Sequence, residues 1–257
     1  MLKMQVPVAQ ELLEGKKSFT LPKIVPVAQV FARHEIQDIP AAVKSTCHRE
    51  GLGNKLRPGM RIGLACGSRG ISRLDEIVRA MINYLQEYGV EVCIIPAMGS
   101  HGGPSPEGQS QLLAGYGISE EALGIPVISS MDVKRLGVTE TGLDVWFSSD
   151  ALKLDGIIPI NRVKPHTDFS AAIESGIFKM CVVGLGKHKG ACSIHAQGFD
   201  KLAQNILEAG RLILKKANIL GGLGIVEDAY NNVAAVEYLW ASSLEERESQ
   251  LLSLAKK

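Results

Sequence analysis

The chain has 257 residues, 46% hydrophobic, 21% charged and only 5% aromatic, with a formal net charge of +1, enough for a sizeable core in one large α/β domain or two small ones. Balanced charge and scarce aromatics exclude the basic footprint and stacking surface of a nucleic-acid binder and offer nothing to an anionic membrane. No apolar run nears the roughly 18 residues of a bilayer span, the N-terminus lacks a signal-peptide core, and five scattered cysteines without a CxxC read as free thiols in the cytoplasm.

Residues 1–58 read as extended or irregular, apart from a short helical piece near "IPAAVKSTCHREGL". "RIGLAC" (61–66) is a short buried strand running into the turn "GSRG". In "ISRLDEIVRAMINYLQEYG" (71–89), Leu74, Ile77, Val78, Met81, Ile82 and Leu85 recur at helical spacing, with Ser72 as the N-cap and Gly89 as the stop. "VEVCIIPAMG" supplies the next strand, so the first half is a βαβ unit. Short helices follow at "SQLLAGYG" and "SEEALGI", with strands at "IPVISS", "LDVWFSS" and "DGIIPINRV". "DFSAAIESGIFKMCVVGL" leads from loop to helix, and "GFDKLAQNILEAGRLILKKAN" is a long amphipathic helix. "ILGGLGIVEDA" and "AAVEYLW" are the last strands, and a serine-capped charged helix closes the chain at 242–257. The alternation predicts a Rossmann-like α/β fold: an open, mostly parallel sheet with helices on both faces.

Ligands in such sheets sit outside the carboxyl ends of the strands. Arg69, His101 and His166 follow three of those ends and are expected to converge. Arg69 is either a carboxylate clamp or the cap of a helix start. His101, in "GSHGG", is either a solvated loop histidine or, paired with His166, half of an acid–base couple. Lys179, in the apolar run "GIFKMCVV", either snorkels to water or is desolvated for covalent chemistry. His195 is a candidate metal ligand with no partner ligand at a standard spacing. "GLGKHKG" (184–190) reads as a loop able to hold an anion, although it lacks the dinucleotide and Walker spacings.

Four ordered pieces, "GSRG", "MGSHGGPS", "KPH" and "FKMCVVG…SIHA", resemble the N-terminal domain of the nickel-pincer lactate racemase family across residues 60–230. The resemblance implies that Lys179 carries a nickel-pincer pyridinium mononucleotide through a thioamide, that His195 is the protein ligand to nickel, and that Ser68 and Gly184 touch the cofactor. It also implies His101 and His166 as the acid–base pair and Arg69 as the carboxylate clamp of a 2-hydroxy-acid racemase or epimerase, dependent on cofactor-synthesis proteins. Cys66 and Gly67 stand where the better-known members have aspartate and histidine, and the segment between His166 and Lys179 is longer than theirs; lactate itself is therefore not the expected substrate. The family's second, closing domain is expected to be absent from 1–257. The competing expectations are a nickel-free binding module and a hydrolase or lyase with His101, His166 and His195 around an ordinary divalent metal.

Overall fold

The computed structural model describes residues 23–257, so the reading of residues 1–22 lies outside the described residues. Residues 23–31 have no regular secondary structure, and residues 32–257 form one compact unit. In chain order the elements are α1 (Ile39–Arg49), β1 (Arg61–Cys66), α2 (Leu74–Gln86), β2 (Glu91–Pro96), α3 (Pro106–Ala114), α4 (Glu120–Leu123), β3 (Val133–Val138), β4 (Asp144–Ser148), β5 (Gly156–Arg162), α5 (Ile177–Lys179), α6 (Lys187–His195), α7 (Leu202–Lys216), β6 (Gly221–Glu227), β7 (Val233–Trp240) and α8 (Leu244–Ala255).

Five strands form one sheet in the order β2-β1-β5-β6-β7, parallel except for the antiparallel edge strand β7. The sheet is covered on both faces, as parallel sheets require. Ile62, Leu64 and Cys66 of β1, Val92 and Ile94 of β2, and Ile158 and Ile160 of β5 join α1 and α2 in one core. Their alternates Ala65, Cys93, Ile95 and Ile157 join α5, α6, α7 and α8 in the other. The expected α/β architecture is what the chain adopts.

Some local expectations fail for physical reasons. "IPVISS" is not a strand: Val127 makes one isolated bridge to Ile94 outside β2. "LDVWFSS" does form β4, but it pairs with β3 in a separate two-stranded antiparallel sheet. Neither serine cap forms. Helix α2 begins behind Arg73 in a left-handed conformation (φ 55°), and no Ser243 side chain caps α8. The Arg73 guanidinium instead binds Glu76 and the carbonyls of Ile36 and Gln37.

Between β5 and α6 the chain makes a wide turn. The single turn α5 continues into a π-helical turn, Met180–Gly184, in which the Leu185 amide donates to the Met180 carbonyl at 2.9 Å. Such turns are rare and favour functional sites. Its footing is tight: a Cβ on Gly210 of α7 would lie 2.3 Å from the Phe178 ring, which is 1% exposed. Alanine is favoured over glycine in a helix by about 0.8–1 kcal/mol, but overpacking a core costs about 1–3 kcal/mol. Gly210→Ala is therefore expected to lose up to about 2 kcal/mol in urea unfolding. A gain would show that the Phe178 ring can retreat.

Candidate functional site

Strand order reverses direction around β1: β2 lies on one side of it and β5 on the other. The segments leaving the carboxyl ends of these three strands enclose a cavity of about 430 Å³. Gly67, Ser68 and Arg69 come from the end of β1, Ala97, Met98, Ser100 and His101 from that of β2, and Asn161, Arg162 and Lys164 from that of β5. Lys179, Val183, Gly184, Cys192 and His195 close it from the π-turn and α6. Of the residues the sequence singles out, Ser68, Arg69, His101, Lys179, Gly184 and His195 all line this cavity.

His166 does not line the cavity; it stands behind Lys179. Its Nε2 lies 2.7 Å from Lys179 Nζ, and its ring stacks on Phe169 with centroids 4.2 Å apart. The Asp168 amide donates to His166 Nδ1 at 3.2 Å. With Nδ1 accepting, the single proton of a neutral imidazole sits on Nε2, and the Lys179 amine accepts it, which requires that amine to be unprotonated. Electrostatics push the same way. Burial, then the charges of Arg69 and Lys164, hold Lys179 below the usual lysine range. Burial and the neighbouring Lys179 lower His166 as well.

His101 is reached by Ser68 Oγ, 2.5 Å from its Nδ1, which ties the β1 and β2 loops together. Burial, then Arg69 and Lys179, depress its pKa and favour the neutral, proton-accepting ring. The loop is anchored from below. Gln109 Nε2 donates to the carbonyls of Gly99 and His101, and the Gly99 amide donates to the Gly184 carbonyl. Gly99 has φ +62°, and a Cβ there would press on Val183 at 3.1 Å, so the histidine loop needs glycine where it crosses the π-turn.

His195 Nδ1–H donates to the Ala191 carbonyl at 2.7 Å, one turn back along α6. That bond fixes the tautomer and leaves the Nε2 lone pair as the ring's free donor to a metal. Among the described residues no group of three or more His, Cys, Asp or Glu side chains is placed to hold a metal ion. His101, His166 and His195 thus form no ordinary metal cluster, and a metal beside His195 would take its remaining donors from a bound group. An unprotonated lysine for attachment and one preset imidazole fit a tethered group that brings its own metal donors.

The anion-loop reading of "GLGKHKG" is not what the chain builds. Lys187, 1% exposed and left-handed (φ 55°), points into the core, where its Nζ donates to the Pro96 carbonyl at 2.6 Å and to Gln109 Oε1 at 3.2 Å. Lys189 sits 3.6 Å over the Trp146 ring. Only Gly184 of the stretch lines the cavity; a side chain there would strike the Ala97 carbonyl at 2.5 Å. Arg162 and Lys164 are cavity residues that sequence reasoning passed over. They lie two apart in "INRVKPH", the interval that puts side chains on one face of extended chain.

The open, mostly parallel α/β domain thus gathers lysine, histidine and arginine side chains at its switch-point crevice, where such folds hold small molecules. The sequence matches the lactate racemase N-terminal domain family over residues 16–205. The chain belongs to that family. None of the curated proteins matches it. Its fold is similar to that of the lactate racemase apoprotein from Thermoanaerobacterium thermosaccharolyticum, with a TM-score of 0.61 at 14% identity over 84% of this chain. The match spans 55% of that protein's length.

Proposed function

We propose that this chain is the cofactor-holding domain of a racemase or epimerase of 2-hydroxy acids, acting in the cytoplasm. The observation that carries the reading is the Lys179 amine set against His166 Nε2 at the wall of the cavity that His195 also lines. Lys179 would carry a nickel-pincer pyridinium mononucleotide, supplied by cofactor-synthesis proteins, and His195 Nε2 would bind its metal. When bound, that group supplies a hydride acceptor.

The chain's own residues supply the rest. Lys179 meets the requirement for attachment, a neutral amine. Once that amine is acylated it no longer accepts from His166, whose ring is released to face substrate opposite His101. The fork of Arg69 holds the substrate carboxylate, with Ser68 beside it to orient His101. Of the two neutral imidazoles, one takes the hydroxyl proton and returns it after the configuration at the adjacent carbon has been reset.

Intact-protein mass spectrometry tests this on chain co-produced with the cofactor-making enzymes. The expected result is a mass increment matching the pyridinium mononucleotide, localised to Lys179 and lost in Lys179→Ala. An unmodified chain under those conditions would favour a nickel-free binding module, and an adduct retained by Lys179→Ala would reject the assignment.

A further inference from the structure

The cavity holds more positive charge than one carboxylate needs. Arg69, Arg162 and Lys164 line it, and neither aspartate nor glutamate is among its lining residues. One of these cations is occupied: Arg162 is paired with Glu227. Arg69 and the Lys164 ammonium have no hydrogen bond or ion pair among the described residues.

Lys164 is also firmly rooted. Its backbone is bonded both ways to Ser175, with the Lys164 amide donating at 2.8 Å and the Ser175 amide at 3.3 Å, so the root of the side chain is fixed beside the cavity. Arg69 and Lys164 line the same cavity, and burial, then Arg162 and Arg69, lower the Lys164 pKa against the opposing charge of Glu227. Two like charges on one cavity, neither in an ion pair among the described residues, are a cost to the empty protein, and a ligand carrying two negative groups relieves it.

We infer that the cavity takes a 2-hydroxy acid bearing a second anionic group, a hydroxydicarboxylate, with Arg69 on the carboxylate beside the hydroxyl and Lys164 on the far one. The inference rests on the racemase reading for the hydroxyl and on the unpaired cations for the second anion. It names the selectivity of that site.

Calorimetric titration of the cofactor-free chain with malate and with lactate, at one ionic strength, tests it. Malate is expected to bind at least about tenfold more tightly, a difference of 1.4 kcal/mol. In Lys164→Met, which keeps the aliphatic stem, the ratio falls to within about twofold; in Lys164→Arg it survives. Equal binding of the two acids by the unaltered chain, or a preference that persists in Lys164→Met, overturns the inference. Added salt gives a reading that needs no variant: malate affinity falls more steeply than lactate affinity, and parallel slopes count against a second charge contact. A final arm repeats the titration with saturating nicotinate mononucleotide. Persistence of the malate preference supports the inference, and its loss would assign Lys164 to a nucleotide phosphate and overturn it. The two readings fail separately. A malate preference with no adduct on Lys179 keeps the dianion site without the racemase, and an adduct without the preference does the reverse.

Discussion

Replacing Lys187 with methionine is expected to lower the free energy of unfolding by about 2–6 kcal/mol, because two buried acceptors lose their donor at about 1–3 kcal/mol each. The acceptors are the Pro96 carbonyl, at the end of β2, and Gln109 Oε1. Methionine fills the volume, so the loss is one of hydrogen bonds rather than of packing. In a domain of this size, each kcal/mol moves Tm by about 2–4 °C. The effect also has an address. Gln109, freed on one side, is the residue that holds the carbonyls of Gly99 and His101, so amide hydrogen exchange in residues 99–103 should speed up more than in α7. Thermal unfolding and exchange together check this. An unchanged Tm would show that the lysine's desolvation offsets its two bonds, as its pKa, lowered to about 8 by burial, allows.

The second large effect concerns Glu248 on α8, 1% exposed. Its Oε2 accepts from the Phe178 amide at 3.0 Å, its Oε1 finds no hydrogen-bond partner among the described residues, and burial pushes its pKa up from 4.5 to about 7. A carboxyl whose folded pKa is raised keeps its proton longer in the fold than in the unfolded chain, so stability falls as pH rises from 4.5 to 7 and the full penalty applies above 7. Over that window the penalty grows to about 3 kcal/mol. Glu248→Gln keeps an acceptor for the Phe178 amide and cannot ionise. Measured against the unaltered chain by urea unfolding, its relative stability should increase between pH 5 and pH 8 by about that amount. Parallel pH profiles for the two proteins would show that Glu248 does not titrate in this range.

Much of the fold was legible because buried parallel strands write themselves as short apolar runs. β1, β2, β5 and β6 are such runs, and the rule that ligands gather at their carboxyl ends brought Arg69 and His101 together from sequence alone. What stayed hidden was burial and pairing. "IPVISS" is as apolar as any strand but finds only one bridge beside β2, while "VKRLGV" carries no clear alternation and becomes β3 because β4 is there to pair with it. Lys187 read as part of an anion-holding loop because no local pattern announces that a left-handed residue will turn inward. Lys164 was within reach: its two-residue interval from Arg162 on an extended segment marks one face, and both reach the cavity.

The π-turn at Met180–Gly184 amounts to one residue more than an α-helix would use. The extra residue lies between Lys179 and His195, sixteen residues apart, so the π-turn helps to set how those two cavity side chains face each other: each helical residue turns the chain by about 100°, and a turn shorter by one residue would re-aim Lys179.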